Sequence, residues 1–174
     1  MLSPKIQDAL NAQINAEYLS ALTYLSLTAY FEDTDFKGFS HWMRIQYKEE
    51  LTHAEKLFDF INERDGRVHL TQLEAPRLEW ESPLAGFQSA LDNERSLSAK
   101  INDIVSLALD EKDFATHSFM QWFINEQVEE ESLVNDIVQD LRRIGDNSNG
   151  LFLMDRDLAQ RQPDTTAGAE GGTA

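Results

Sequence analysis

The chain has 174 residues, 41% of them hydrophobic, and a formal net charge of -16. That is enough apolar material for one globular domain with a real core, while the charge opposes binding to nucleic acid or an anionic membrane and concentrates cations at the surface. The absence of cysteine excludes a disulfide scaffold, a zinc finger and thiolate-held iron–sulfur clusters.

Ser3 and Pro4 form a helix start, and the helical pattern continues without a breaker to about Glu32. Its apolar stripe runs Ile6, Leu10, Ile14, Ala21, Tyr24, Thr28 and Phe31, with Glu17 where a hydrophobe is expected. After a turn at Asp33 to Asp35, a second helix spans about Phe36 to Arg64 and stops at Asp65-Gly66. Its stripe reads Phe39, Met43, Gln46, Glu50, His53, Leu57 and Phe60 or Ile61, and the three-residue step puts Glu50 and His53 on one face, where they can share an ion.

Residues 67–81 are too long for a hairpin connection and, extended, reach about 50 Å, the full length of a helix of about 28 residues. The third helix opens at Ser82-Pro83 and carries Phe87, Leu91, Glu94, Leu97, Ile101, Ile104 and Ala108 to about Asp110. The fourth runs from about Asp113 to Arg143 and ends at Gly145, with a stripe of Phe119, Phe123, Glu126 or Gln127, Glu130, Val134, Ile137 and Leu141. Gln127 either orients a ligand or fills space. A short amphipathic fifth helix over 151–162 is marginal alone and needs a surface for Leu151, Phe152, Leu153, Met154 and Leu158. Residues 163–174 hold no core residue and are expected to be disordered.

Ionised carboxylates stand on a core-facing stripe only where something offsets their desolvation, and the simplest offset here is a pair of metal ions. Heights along the bundle agree with this. Glu17 and Glu50 lie about seventeen and sixteen residues from the first turn, and Glu94 and Glu130 about seventeen and nineteen from a turn near Lys112, so all four meet in one layer to within roughly 3 Å. The expected fold is all-α: an antiparallel four-helix bundle with one long crossover and a fifth short helix.

These residues resemble a non-haem bacterial-type ferritin over 1 to about 162. The resemblance implies that Glu17 and His53 hold one iron, Glu94 and Glu130 a second, and Glu50 bridges them; from its place on the stripe, Gln127 is counted with the candidate metal-site residues. It places Tyr24 beside the centre and makes Glu49, Glu126 and Glu129 companions of Glu130 in a third, more exposed iron site. It implies a ferroxidase that oxidises iron(II) with dioxygen and deposits ferric mineral in a hollow cage of twenty-four subunits, the fifth helices clustering at fourfold axes.

Two departures narrow the family. Haem-binding relatives carry a second Glu-x-x-His on the fourth helix and a methionine after the bridging glutamate; this chain has Leu133 and Leu51 there, so no haem is expected. The acidic lining of the animal threefold channel would fall at His117 and Met120, which leaves that iron route in doubt. His41, His69 and His117 read as surface residues, and Trp42, Trp80 and Trp122 as packing residues.

The alternatives are a non-storage di-iron oxidase or peroxidase, which usually carries Glu-x-x-His twice, and a metal-free helical scaffold whose glutamates are protonated or hydrogen-bonded. A DNA-protecting mini-ferritin lacks the fifth helix. With no basic segment leading an apolar run and no stretch near about eighteen apolar residues, the expected location is the cytoplasm; a transit peptide already removed would leave a plastid source open.

Overall fold

The computed structural model describes residues 2–163, which form five helices and, among those residues, no strand. They are α1 (Pro4–Asp33), α2 (Lys37–Glu63), α3 (Pro83–Asp110), α4 (Phe114–Ile144) and α5 (Ser148–Leu158). The expected tail at 163–174 lies outside the described residues except for Pro163.

Helix starts follow the capping chemistry of the sequence. Ser3 accepts from the Ile6 N–H and Ser82 from the Ala85 N–H, each followed by proline. Three helix ends close in the same way, with one residue in the left-handed region at Asp35 (φ 61), Asp65 (φ 55) and Lys112 (φ 56). The next amide reaches back to the carbonyl five residues earlier, Phe36 to Phe31, Gly66 to Ile61 and Asp113 to Ala108. The glycine signal at the end of α2 thus works one place off. Asp65 takes the left-handed turn, and Gly66 is small because a Cβ there would come within 2.9 Å of Leu2 and Ile61 side chains.

The two hairpins, α1–α2 and α3–α4, pack with α1 against α3. Lys5 at the start of α1 pairs with Glu111 at the end of α3 at 2.9 Å, and Arg64 at the end of α2 with Asp113 at the start of α4 at 3.0 Å. Both contacts show the facing helices running antiparallel. Helices α2 and α4 do not approach as closely as α1 and α3, and side chains bridge the space between them.

Residues 67–81 carry the long crossover. Its first half is held along α1 by amide side chains one turn apart. Gln7 accepts from the Arg67 N–H, Asn11 donates to the Arg67 carbonyl and accepts from the His69 N–H, and Asn15 donates to the His69 carbonyl and accepts from the Thr71 N–H, over 2.6–3.1 Å. Each rung satisfies backbone groups that a strand would have paired with a neighbour. His69 itself is exposed.

The fifth helix differs from expectation at both ends. It begins at Ser148, where Asn147 accepts from the Gly150 N–H, and ends at Leu158 rather than reaching Gln162. Pro163 disfavours helix at Gln162, but the helix has already closed at Leu158, with the Ala159 amide on the Asp155 and Asp157 carbonyls. Leu151, Met154 and Leu158 pack on the bundle core, whereas Phe152 (61% exposed) and Leu153 (57%) face outward.

This helix also completes α2. Phe36 offers no side-chain cap, and Asp155 Oδ1 of α5 instead accepts from the Phe39 N–H at 2.9 Å, a carboxylate at the positive end of a helix. The approach is so close that a Cβ on Gly38 would lie 1.6 Å from the Asp155 carbonyl oxygen.

Removal of the central rung tests the crossover ladder. Asn11→Ala strands the Arg67 carbonyl and the His69 amide and is expected to cost about 2 kcal/mol. The denaturant midpoint should fall, with faster amide hydrogen exchange at His69 and Thr71.

Candidate metal centre

Buried apolar side chains form two clusters rather than one. The first gathers Leu27, Phe31, Phe39, Trp42, Phe87 and Val138 with their neighbours, and the second gathers Ile6, Leu10, Ile14, Leu57, Ile101 and Phe123 with theirs. Between them lies a polar layer of buried Gln13, Glu17, Gln46, Glu49, Glu50, His53, Glu94, Gln127 and Glu130. Each of the four long helices contributes to it, because each stripe is interrupted at the same height.

Glu17, Glu50 and His53 converge most tightly. One potential ligand atom from each lies within 4.8 Å of the others, and His53 Nδ1 is 3.7 Å from Glu50 Oε2. Glu17, Glu50 and Glu94 are essentially inaccessible, and Glu130 is 5% exposed.

Neutral donors orient three of these carboxylates. Gln13 Nε2 donates to Glu17 Oε1 at 2.7 Å, and Gln46 Nε2 to Glu130 Oε2 at 2.7 Å. Tyr24 donates its hydroxyl proton to Glu94 Oε1, while Gln127 Nε2 donates to Glu94 Oε2 at 3.1 Å and to the Glu94 backbone carbonyl at 3.1 Å. Glu50 is different. Both its oxygens are buried with no hydrogen-bond partner, as are Glu17 Oε2 and His53 Nε2. Such orphaned atoms are costly; Glu50 Oε2 stands 3.7 Å from His53 Nδ1 and His53 Nε2 3.9 Å from Glu126 Oε1, too far for hydrogen bonds.

The electrostatics follow from that crowding. Burial pushes Glu94 up to about 7, despite hydrogen bonds from Tyr24 and Gln127 that favour its ionised form. Burial also pushes Glu130 up to about 7, helped by the charge of Glu94. Glu50 rises well above the usual carboxylate range, first through burial and then through the charges of Glu94 and Glu17. Burial and the charges of Glu94, Glu50 and Glu130 raise Tyr24 well above a normal phenol, so it remains a neutral donor. With no cation present, protons take up part of the charge.

The other candidate site residues divide by location. Glu49 is buried at the edge of the layer, and its Oε2 lies 2.7 Å from Arg161. Glu126 is half-buried with Oε1 3.9 Å from His53 Nε2, and Glu129 is exposed. Of the paired alternatives, Ile61 and Gln127 enter the core; Phe60 instead stacks on Phe119 at 3.8 Å, and Met120 takes the buried position next to Phe119. Met120 therefore packs in the core, while His117 is half-buried. His41 is exposed; Trp42 and Trp80 are buried in the core and Trp122 partly so.

Sequence reading missed Gln13 as part of the layer and treated Gln46 only as a stripe position. Gln13 stands one turn before Glu17, at the spacing that lets a helix side chain reach its neighbour, and that spacing is the signal that identifies it; Gln46 donates instead across the bundle to Glu130 of α4, a contact that no local spacing announces.

The pattern matches a family model for the ferritin-like domain over residues 7–144. The chain belongs to the ferritin family. Bacterial non-heme ferritin of Staphylococcus epidermidis is 40% identical over 161 residues, covering 92% of this chain and 97% of that protein. The protein of the same name from Staphylococcus saprophyticus is 38% identical over 164 residues, covering 94% and 98%. Among solved structures, the open-pore ferritin of Archaeoglobus fulgidus is 49% identical with a TM-score of 0.92, covering 93% of this chain and 99% of that one. A closed form of that ferritin, engineered by site-directed mutagenesis, gives 49% and 0.92, covering 94% and 100%. Ferritins bind iron, and the Glu17, Glu50 and His53 group of this ferritin is one that can hold a metal ion. No helix among the described residues is long and apolar enough to cross a membrane.

The raised carboxyls set the sign of a pH dependence. Glu94 and Glu130 go from 4.5 to about 7 on folding, so the folded metal-free chain holds protons that the unfolded chain releases. Their stabilising contribution is complete below the unfolded value and is lost as pH rises through about 7. Metal-free protein should lose stability between about pH 5 and about pH 8, measured as denaturant midpoint. Glu94→Gln should flatten that slope and raise the midpoint at the alkaline end.

Proposed function

We propose that this ferritin stores iron and oxidises it on the way in, with a dinuclear ferroxidase centre inside each subunit. Glu17 and His53 hold one iron(II), Glu94 and Glu130 hold the other, and Glu50 bridges the two. The observation that carries this reading is the state of Glu50. It alone of the four inner glutamates has both oxygens buried and no donor on either, as a carboxylate meant to ligate through both oxygens requires.

The donor set supports iron(II) as substrate: hard carboxylates with one imidazole suit a first-row divalent ion, and carboxylates favour the higher charge of the oxidised product. Two iron(II) ions side by side each give one electron to dioxygen, which leaves at the two-electron level as hydrogen peroxide once it has taken two protons. Binding the cations displaces the protons held by Glu50, Glu94 and Glu130, since a carboxylate must be ionised to ligate. Gln13, Gln46 and Gln127 fix carboxylate orientation, and Gln127 acts in this way rather than as a ligand, because its Nε2 points at Glu94. Tyr24 holds its proton on the Glu94 side and keeps that oxygen aligned.

Glu49, Glu126 and Glu129, with Glu130, form an outer third iron position through which oxidised iron passes toward the mineral. Twenty-four subunits enclose the mineral cavity, and the net charge of -16 draws iron(II) toward that shell. Haem has no part in this reading, and the site of action is the cytoplasm. A di-iron oxidase that stores nothing would share the inner centre but form no large mineral-filled particle.

Stopped-flow oxidation of iron(II) added aerobically to apo protein, followed by particle mass, tests the whole reading. Two irons per chain should oxidise quickly, with slower mineral growth afterwards in a large particle. Glu50→Ala should slow the fast phase by a factor on the order of a hundred or more while leaving the circular dichroism unchanged. Wild-type kinetics in that variant would overturn the assignment.

A further inference from the structure

We propose that Arg161 is a built-in counter-cation for Glu49, which a metal ion must displace to occupy the outer carboxylate position; this rests on the dinuclear reading above. The contact depends on where α5 stops. After Leu158 the chain turns, with amides of Gln160 and Arg161 reaching the Asp157 and Leu158 carbonyls. The anchor of Asp155 on the start of α2 sends the following residues along the same face of that helix.

Three contacts seat Arg161 there. Its backbone carbonyl accepts from His41 Nε2 at 2.9 Å, its guanidinium lies 4.6 Å from the centre of the Trp42 ring, and Nη2 reaches Glu49 Oε2 at 2.7 Å. Trp42 and Glu49 are seven residues apart on α2, two turns along one face. The planar cation thus lies over the indole and points at the carboxylate, a pairing that arginine suits and lysine does not.

The pair is nonetheless incompletely satisfied. Nη1 of Arg161 is buried with no hydrogen-bond partner, whereas a guanidinium optimised for holding a carboxylate engages it through two parallel bonds. A buried unpaired donor is costly, which makes the arrangement easier to displace than a two-pronged pair. Glu49 is also within electrostatic reach of Glu130 and adds to the charge crowding there. Arg161 therefore neutralises the edge of the acidic layer while the outer position is empty, and a divalent ion arriving at Glu49 takes over that role. Its effect is to weaken retention of the third ion, so that iron passes on rather than lodging beside the centre.

The test is anaerobic titration of full-length assembled apo protein with iron(II), followed calorimetrically. Wild type should bind two ions tightly and a third weakly. Arg161→Gln should keep the two tight ions, which reports an intact fold, and bind the third more tightly by on the order of tenfold, the scale of one charge-assisted hydrogen bond. Arg161→Lys keeps the charge but gives up the planar stack on Trp42 and should fall between wild type and Arg161→Gln, and Glu49→Gln in the Arg161→Gln background should abolish the gain. A third constant unchanged by Arg161→Gln, a gain that survives loss of Glu49, or a third ion absent from both proteins overturns the proposal while leaving the dinuclear reading standing. Failure of either protein to bind two tight ions overturns both.

Discussion

Four buried carboxylates placed at one height across a helical core are the constraint from which the rest of this structure follows. In water their mutual repulsion would be screened; here Glu17, Glu50 and Glu94 are shielded almost completely, and each ionised group raises the cost of ionising the next. Hydrophobic packing cannot compensate at that level, because the layer divides the apolar core into two clusters. The bundle is held by the packing above and below it, and the layer is left to be neutralised by something that binds. Protons do this incompletely and only while the pH permits; a divalent ion would bring two charges to the same oxygens, in competition with those protons.

The helical framework tolerates such a layer by being rigid everywhere else. Aromatic rings at Phe31, Phe36, Phe39 and Phe87 close one end of the bundle in edge-on and stacked contacts. The amide ladder at Gln7, Asn11 and Asn15 ties the crossover down beside α1. With the ends fixed, the wider spacing between α2 and α4 persists, and long side chains from both helices can meet in it without the backbone closing over the gap.

The four-helix architecture and the acidic layer were legible because both depend on periodicity and on helix length, which are local properties. Glu17, Glu50, Glu94 and Glu130 could be placed on one level by counting residues to each turn, since rise per residue is nearly constant. What could not be read depends on contacts between distant segments. Nothing around Asp155 announces that it caps α2, and nothing around Arg161 announces that it will face Glu49: the first follows from how α5 docks on α2, the second also from a helix that ends four residues before Gln162. The choice between Phe60 and Ile61, or Glu126 and Gln127, was undecidable for a different reason: neighbouring positions differ by about 100° around the helix axis, and only packing against a partner helix selects one. Met120 shows the same limit, since it takes the buried position that the apolar stripe had given to its neighbour Phe119.

The identity of the groups that touch the carboxylates explains why the layer stays available to cations. Glu17, Glu94 and Glu130 receive their hydrogen bonds from Gln13, Gln127, Gln46 and Tyr24, donors that fix geometry but carry no charge. A lysine or arginine at any of those positions would satisfy the same oxygen and also cancel a negative charge permanently, so an incoming ion would have to compete with a tethered cation. Amide and phenol donors avoid this. They restrain each carboxylate to one orientation, which lowers the reorganisation needed when metal binds, and they leave the charge deficit untouched. The guanidinium of Arg161 meets the layer at its periphery, on Glu49 and with Nη1 unused. Charge compensation is thus graded across the layer: neutral donors on its inner carboxylates and a tethered cation at its edge, which on the proposed reading would make metal occupancy strong at the centre and weak at the rim.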